Sequence, residues 1–186
     1  TVVNEEGDPI PPGTTGYLAI KEPWPSMMKA VYQNDERYRQ YWSFGKYGYY
    51  SSNDLAVMDE DGYIMLLGRS DDIIIVAGHN VGTAEIESAL VSHSAVAEAA
   101  AIGKPDPLKG NIIKAFVILR NGVEPSQKLI HDLKYHVRIM LGPISVPAEL
   151  DFVDSLPKTR SGKIMRRVLK AKEMGMDPGD ISTLDE

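Results

Sequence analysis

Hydrophobic residues follow two spacings along this chain, one typical of strands and one typical of helices. Short apolar runs bounded by Gly, Pro, Asn or Asp predict strands at residues 17–20, 73–78, 95–103, 112–122 and 150–153. Apolar residues at helical spacing predict helices at residues 83–93 and 126–142, with Thr83 and Ser126 as candidate N-caps. A last, basic helix is predicted at residues 164–174.

A β-hairpin is predicted around the turn-forming sequence DEDG, which residues 55–58 and 63–67 flank. We expect Asp54 and Arg69 at the outer ends of this hairpin, where strands give way to loops. The next stretch, GRSDD, places small and charged residues between two strands and favours a hinge or domain boundary near Asp71. The mixed elements beyond it predict a compact α/β (α+β) domain with a small sheet covered by helices.

Charge and composition exclude several classes of protein. The 186 residues carry a net charge of −6, which argues against a dedicated nucleic-acid or membrane-surface protein, and no apolar run approaches the length of a membrane span. Residues 158–172 nevertheless include seven basic and no acidic side chains, a local concentration that could attract a phosphate. The absence of cysteine rules out thiolate chemistry and suits a reducing compartment, so we expect a cytoplasmic protein.

The start of the chain indicates a part of a longer protein, because it lacks Met and opens on the Pro- and Gly-rich GDPIPPGTTG. Residues 32–50 hold many aromatic and charged side chains without a clear period. Such residues could stack on bases. In an acidic chain we favour partial burial against a neighbouring domain.

Lys163 lies in the sequence LPKTRSGKIMRR, at the predicted start of the last helix. A phosphate-binding P-loop is excluded, since Pro157 occupies the first glycine position of that motif and Ile164 stands where it needs Ser or Thr. Two interpretations remain open. Lys163 could meet an anion from a glycine-containing loop beside a helix N-terminus, or it could be an ordinary solvated lysine, which the spacing alone favours.

Other polar residues allow both structural and functional interpretations. Asp54 and Arg69 could hold a ribose diol, although most such pairs at strand ends are surface ion pairs. His79 and His93 are not spaced as a metal-binding pair on one helix. Ser52, Asp54 and His79 lack the nucleophile-elbow motif of a catalytic triad.

Several long motifs together resemble one family. The sequence DLAVMDEDGYIMLLGRSDDIIIVAGHNVGTAEIESALVSHSAVAEAAAIGKPDPLKG, followed by LPKTRSGKIMRR, is similar to the C-terminal third of the AMP-forming acyl-CoA synthetases of the adenylate-forming superfamily. The segments EPWPSMM, DERYRQYW and GTAEIESALVSH resemble the acetyl-CoA synthetase branch of that family. The resemblance covers nearly the whole chain.

The resemblance implies a two-step reaction. A carboxylic acid and ATP, with Mg²⁺, give an acyl-adenylate and pyrophosphate, and the acyl group then passes to coenzyme A. Residues 1–70 would be the β-rich tail of the ATP-binding domain, and residues 71–186 the mobile C-terminal domain. The chain would then lack most of the ATP-binding domain and should be inactive alone. The alternative is a free-standing module of the same fold that binds a nucleotide, CoA or a partner without catalysis.

The resemblance also assigns roles to single residues. Lys163 matches the catalytic lysine of the adenylation step, and such lysines are acetylated to switch these enzymes off, which implies a lysine acetyltransferase and deacetylase as partners. Asp54 matches the aspartate that holds the ribose hydroxyls, and Arg69 the arginine that assists it. Asp71 matches the hinge about which the C-terminal domain rotates.

Further matches concern CoA and a cation. Ala77 and Gly78 match a strand-edge segment that approaches the CoA pantetheine, and Arg138 matches a basic residue near the CoA nucleotide. The resemblance also implies a peripheral cation site at three residues, Val91, His93 and Val96.

Two positions depart from the family pattern. Ser52 and Asn53 replace its usual Thr-Gly before Asp54, and we expect the turn to survive because Asn tolerates left-handed backbone. Asn80 occupies the position of a nucleotide-binding arginine, so one contact to phosphate is in doubt.

Overall fold

A computed structural model of the chain describes residues 1–179 and 181–185. The chain divides into two compact units, Thr1–Asp71 and Asp72–Glu186, and each has its own sheet. No helix within the described residues is both long and apolar enough to cross a membrane.

The first unit is an antiparallel sheet with strand order β1-β2-β3-β4 and one helix, α1. Its elements are β1 Val2–Val3, β2 Thr15–Ile20, α1 Asp35–Tyr41, β3 Tyr50–Met58 and β4 Ile64–Arg69. The predicted strand at residues 17–20 and the predicted hairpin are confirmed, because β2 covers the first and β3 pairs antiparallel with β4. The sequence analysis missed α1, whose N-cap Asn34 accepts a hydrogen bond from the Arg37 amide at 2.9 Å.

The aromatic residues of the first unit pack largely on one another. Tyr50 stacks on Tyr41 and meets the edge of Trp42, with ring centroids 5.7 and 5.3 Å apart. Tyr17 and Phe44 form a tilted pair at 5.2 Å. These aromatic side chains therefore have partners within their own unit, which the sequence analysis did not predict.

Strand β4 is the last strand of this sheet and carries an exposed apolar run. Ile64, Met65 and Leu66 expose 42, 62 and 61% of their surface. Successive residues of a strand point to opposite faces, so both faces of β4 are uncovered in this part of the unit.

Within the described residues, the second unit is a mixed sheet with three helices. Strands β6, β5, β8 and β7 are antiparallel in that order, and β9 pairs parallel with β8. The elements are β5 Ile73–Val76, β6 His79–Gly82, α2 Thr83–Val91, β7 Val96–Asp106, β8 Gly110–Leu119, α3 Gln127–Leu141, β9 Glu149–Phe152 and α4 Arg166–Met174. The predicted fold class is confirmed as α+β, because most strand pairs are antiparallel.

The prediction that helices cover this sheet is confirmed, and the structure adds that they cover both of its faces. Ile86 and Leu90 of α2 and Leu133 of α3 pack on one face, and Leu169 of α4 packs on the other. Alternate residues of β7 serve the two faces: Ala99 and Ala101 belong to the α2–α3 side, and Ala100 and Ile102 to the α4 side. A strand buried on both faces is apolar at every position, which explains the run AAAI.

The predicted helix boundaries were partly wrong. Ser126 is the N-cap of α3 and accepts from the Leu129 amide at 3.2 Å, as expected. Thr83 is not a cap; it is the first helical residue of α2, buried, and Gly82 precedes it as the N-cap. Helix α4 begins at Arg166, two residues later than predicted.

An ionic cluster holds α4 to its face of the sheet. Lys114 of β8 is largely buried, and its ammonium lies 2.8 Å from Asp151 and 2.9 Å from Glu173 of α4. Lys104 of β7 contacts Glu173 and Glu149 at 2.9 and 3.0 Å. Burial alone would lower the pKa of Lys114, but the hydrogen bonds to Asp151 and Glu173 outweigh it and raise that pKa above its usual value.

Candidate active site

Lys163 closes a tight loop that precedes α4. The Thr159 amide donates to the Lys163 carbonyl at 2.8 Å, and the Lys163 amide donates back to Thr159 Oγ1 at 3.1 Å. Lys158 and Ile164 form an antiparallel bridge just outside this pair, and Gly162 takes the left-handed backbone, with φ +82°, that the turn needs. Lys163 thus leaves the chain from a fixed backbone, three residues before α4 and not within a helix start.

The ammonium of Lys163 is exposed and makes no ion pair with any residue of 1–179 or 181–185. Two other members of the basic stretch, Lys158 and Arg166, are neutralised. Lys158 lies 2.6 Å from Glu98, and Arg166 contacts Glu87 at 2.6 Å and Asp72 at 3.1 Å. Lys163 is therefore available to an anion, whereas Lys158 and Arg166 are held in ion pairs within their own unit.

The C-terminal segment of the described chain supports the base of this loop. The Arg160 amide donates to the Thr183 carbonyl at 3.2 Å, and the Asp185 amide donates to the Lys158 carbonyl at 2.8 Å. Thr159 and Leu184 form an antiparallel bridge between these two bonds. A short strand-like pairing thus joins residues 158–160 to residues 183–185.

Asp54 and Arg69 are direct partners across β3 and β4. The expectation for Asp54 was wrong in one respect, since it lies inside β3, which begins at Tyr50, and not at an outer end of the hairpin. Asn53 before it has φ +58°, the left-handed conformation that the sequence predicted, at a shift in the β2–β3 register. β2 advances by two residues between Tyr17 and Ala19 while β3 advances by four between Leu55 and Ser51, so this irregularity, just before Asp54, adds two residues to β3.

Arg69 binds Asp71 in the same unit. The guanidinium donates from Nε to Asp71 Oδ1 at 2.9 Å and from Nη2 to Asp71 Oδ2 at 3.1 Å, a bidentate pair. Its Nη1 also donates to the Ser52 carbonyl at 3.4 Å. Asp71 lies in a single 3₁₀ turn, Ser70–Asp72, at the end of the first unit.

Ala77 and Gly78 form the two-residue turn between β5 and β6, which the sequence analysis did not predict. Val76 pairs with His79, and both turn residues have positive φ, +48° and +82°. This is the geometry of a type I′ hairpin turn, in which alanine is unusual. The expected strand edge is therefore a hairpin turn, with Asn80 exposed on β6 opposite Ile75.

A cleft of about 200 Å³ adjoins this turn. Its lining is mostly apolar and comes from β5, β8 and the segment after α3; it comprises Val76, Ala77, Lys109, Ile112, Ile113, Pro143, Ile144, Val146 and Ala148. The Ala77 amide donates to the Lys109 carbonyl at 2.9 Å and fixes the turn at the cleft. Arg138 is exposed in the last turn of α3, shortly before the residues that line the cleft.

Val91, His93 and Val96 lie around the end of α2. His93 Nδ1 accepts from the Ala95 amide at 3.2 Å, and the His93 carbonyl accepts from the Val96 amide at 3.0 Å. No group of three His, Cys, Asp or Glu side chains suited to a metal occurs within the described residues. The side chains of the two valines carry no ligand atoms, so a cation bound by all three residues would need the main-chain oxygens of Val91 and Val96.

Sequence reasoning missed the partly buried ion pairs of Arg166. Its Nε and Nη2 donate to the two carboxylate oxygens of Glu87 at 2.8 and 2.6 Å, and its Nη1 donates to Asp72 at 3.1 Å. These hydrogen bonds, above all those to Glu87, raise the pKa of Arg166 against the effect of burial. No local pattern could reveal this contact, since Glu87 and Arg166 are 79 residues apart in sequence.

Comparison with known proteins agrees with this architecture. Residues 85–163, from α2 to the lysine loop, match the family described as AMP-binding enzyme C-terminal domain. The chain has the fold of the adenylate-forming ligases. Over its whole length the chain is similar to acetyl-coenzyme A synthetases.

Three relatives illustrate the similarity. The acetyl-coenzyme A synthetase of Pyrobaculum aerophilum is 53% identical over 186 residues, which are 100% of this chain and 28% of the relative. The 3-hydroxypropionyl-coenzyme A synthetase of Sulfurisphaera tokodaii is 50% identical over 190 aligned residues, again 100% and 28%. The crystal structure of the anthranilate CoA ligase AuaEII with anthranoyl-AMP superposes with a TM-score of 0.78, at 33% identity, over 94% of this chain and 33% of the ligase. The chain thus spans about 28% of the two synthetases' length.

Proposed function

We propose that this chain is the C-terminal part of an AMP-forming ligase that joins acetate, or another short-chain acid, to CoA. ATP and the carboxylate would first give an acyl-adenylate and pyrophosphate, and the acyl group would then pass to the CoA thiol. The observation that carries the proposal is Lys163, whose ammonium is exposed and makes no ion pair within the described residues, on a hydrogen-bonded loop in the region that matches the AMP-binding enzyme C-terminal domain. A reaction in the cytoplasm, where ATP and CoA are present, fits this role.

Lys163 would serve the first step. Attack of a carboxylate on the α-phosphate brings two negative groups together, and an ammonium that bridges both relieves this repulsion as the new bond forms. A lysine suits this task because its charge is compact and can rotate to follow the reacting oxygens. The hydrogen bonds between Thr159 and Lys163 would keep the base of the side chain in place during the reaction.

The first unit would complete the nucleotide site of the ATP-binding domain. Asp54 would accept hydrogen bonds from the ribose hydroxyls, with Arg69 beside it as its cross-strand partner. The exposed run Ile64, Met65 and Leu66 on both faces of β4 supports further protein against this unit. Without that protein, which would supply the rest of the nucleotide site and the acid pocket, we expect the chain to be inactive.

The second step would use the hairpin turn and its cleft. A narrow apolar cleft with accessible backbone suits the thin pantetheine arm of CoA, and the small residues Ala77 and Gly78 would let it approach. Arg138 would meet a phosphate of the CoA nucleotide, while Asn80 can offer hydrogen bonds but no charge to the adenylate phosphate. Asp71 would be the hinge about which the C-terminal domain rotates between the two steps. This rotation would move the lysine loop away from the substrate and bring the Ala77–Gly78 turn to it.

Mg²⁺ would enter as the partner of the ATP phosphates, whose charge it neutralises. A second, peripheral cation is proposed at the end of α2, held by main-chain oxygens of Val91, His93 and Val96. Carbonyl groups at a helix C-terminus carry partial negative charge, and hard cations prefer oxygen ligands, so the donor set fits such an ion.

The test is an assay of the complete protein encoded by the gene. Pyrophosphate exchange into ATP is measured with acetate, propionate and 3-hydroxypropionate, and thioester formation is measured separately from supplied acyl-adenylate and CoA. Acid-dependent exchange supports the proposal. Binding of AMP or CoA without exchange for any acid, in a protein that consists of this chain alone, would favour a non-catalytic module instead.

A further inference from the structure

The incoming arm of the lysine loop, residues 157–160, is paired along both of its edges. On one edge it pairs with residues 163–165, through two main-chain hydrogen bonds of 2.8 Å. On the other edge it pairs antiparallel with residues 183–185, which we call the 183–185 segment. The arm is thus the middle member of three short extended segments.

The 183–185 segment binds main-chain groups of the arm that residues 163–165 do not reach. The Arg160 amide donates to the Thr183 carbonyl at 3.2 Å, and the Asp185 amide donates to the Lys158 carbonyl at 2.8 Å. Successive residues of an extended segment direct their main-chain groups to opposite edges, so the arm can be paired on both sides at once. Without the 183–185 segment, these groups of Lys158 and Arg160 would be left to water.

Leu184, at the centre of the 183–185 segment, lies beside the core of the second unit. It is partly buried and lines a cleft of about 800 Å³ together with Leu156 and Leu169. These two leucines belong to the buried cluster on the α4 side of the sheet. The Leu184 amide also donates to the Ile181 carbonyl at 2.9 Å, which closes a turn just before the segment.

We propose that the 183–185 segment positions Lys163, because it completes the small sheet from which the lysine loop projects. This inference rests on the proposed function. A two-stranded hairpin is marginally stable in water, whereas a third strand and apolar packing give it persistent structure. The segment lies on the edge of the arm away from residues 163–165, and the Lys163 side chain stays exposed. It would therefore steady the loop without covering the ammonium.

Loss of this pairing should slow the adenylation step. Misplacement of a reacting group by about 1 Å can lower a rate roughly 100-fold. Since the bonds between the arm and residues 163–165 would remain, we expect a smaller fall of about tenfold in kcat for pyrophosphate exchange, with KM for ATP little changed. Thioester formation from supplied adenylate does not use Lys163 in the proposed mechanism, so its rate should be kept.

The test uses Asp185→Pro in the complete protein, because proline lacks the amide that binds the Lys158 carbonyl. The residue before a proline prefers extended backbone, which suits the antiparallel bridge of Leu184. Asp185→Ala is the matched control, since it removes the carboxylate and keeps the amide. We expect the fall in kcat in Asp185→Pro and parent rates in Asp185→Ala.

Amide hydrogen exchange provides a readout that does not depend on activity. The Lys163 amide donates to Thr159 Oγ1 at 3.1 Å, and this bond should open more often when the arm loses its second partner. Peptides that span residues 158–165 should therefore exchange several-fold faster in Asp185→Pro and at the parent rate in Asp185→Ala. Helix α2 should keep its protection in both variants, which would show that the second unit remains folded.

The outcomes separate this inference from the proposed function. If the wild-type protein shows no acid-dependent pyrophosphate exchange, the ligase function fails, and hydrogen exchange alone decides whether the 183–185 segment steadies the loop. If the wild type is active, an unchanged kcat in Asp185→Pro overturns the inference. An equal fall in Asp185→Ala also overturns it, because the carboxylate and not the pairing would then matter. Equal loss of both half-reactions in Asp185→Pro, with lower protection in α2, would indicate general destabilisation and overturn it as well.

Discussion

Thr159 and Lys163 are joined twice, once through main-chain atoms at 2.8 Å and once through the threonine hydroxyl at 3.1 Å. The second contact depends on a side chain, so it can be removed without altering the lysine. A substitution at Thr159 can therefore test whether this contact positions Lys163.

Thr159→Val should slow pyrophosphate exchange several-fold in the complete protein, because valine keeps the shape of threonine but leaves the Lys163 amide without its acceptor. Thioester formation from supplied adenylate should change less. Ser161→Ala is the control, since it removes the neighbouring hydroxyl and keeps the Thr159–Lys163 contact. Equal rates in parent and Thr159→Val would show that the backbone bond alone positions the lysine.

Lys163→Ala should abolish acyl-adenylate formation, with a loss of at least about 100-fold in kcat, while thioester formation from supplied adenylate is largely kept. In the proposed mechanism the ammonium would stabilise charge that develops only in the first step. The two half-reactions are measured separately, with Lys170→Ala as the control for removal of a nearby lysine. Equal loss of both half-reactions would contradict the assigned role.

Acetylation of Lys163 should switch off adenylation, because it removes the charge and leaves the side chain in place. The exposed loop makes the ammonium accessible to an acetyltransferase, and a deacetylase should restore activity. Protein acetylated at Lys163 is quantified by mass spectrometry and assayed by pyrophosphate exchange. Full activity in fully acetylated protein would refute this regulation.

Asp71→Pro should trap one orientation of the second unit, since proline fixes φ near −65° and removes an amide donor. We expect one half-reaction to survive and the other to be lost. Asp71→Ala, which removes the carboxylate but not the backbone freedom, should keep both. Wild-type rates for both half-reactions in Asp71→Pro would exclude this residue as the pivot.

Glu173→Gln should lower the melting temperature of the second unit at neutral pH. Hydrogen bonds from Lys114, and then Lys104, hold the pKa of Glu173 below its ordinary value of 4.5. A carboxylate with a lowered pKa contributes stability above its unfolded-state pKa and loses it as the pH falls through the folded-state pKa.

The difference between parent and Glu173→Gln should therefore shrink below about pH 4.5. Thermal unfolding followed across pH tests this, with Glu85→Gln as an exposed control of equal charge change. A difference that does not vary with pH would mean that the ion pairs with Lys114 and Lys104 contribute no net stability.

The sequence predicted a strand correctly where burial of both of its faces requires apolar residues at successive positions. The run AAAI in β7 is apolar because both of its faces are covered, and Ser126 caps α3 because a free amide needs an acceptor. Strand β6 was missed because its turn is Ala-Gly, and the usual Asn-Gly or Asp-Gly signal is absent. Thr83 was predicted as the N-cap of α2, but it is the first residue of the helix and is buried, and Gly82 is the N-cap.

At the candidate site, the sequence singled out Lys163 through its glycine-containing basic loop, and the structure adds that two of its charged neighbours, Lys158 and Arg166, are neutralised. Arg166 and Lys158 looked equivalent to Lys163 in the basic run, and only the folded chain brings Glu87 and Glu98 to them. Such pairing depends on contacts between residues far apart in sequence, which periodicity and local motifs do not report.

Strand β4 has a practical consequence for handling this polypeptide. An edge strand with successive exposed Ile64, Met65 and Leu66 offers unpaired backbone groups and apolar side chains to any similar strand, which is the usual starting point for aggregation. These 186 residues, if expressed alone, should therefore self-associate through β4. A lysine at Met65 would be the first change to try for keeping the polypeptide in solution.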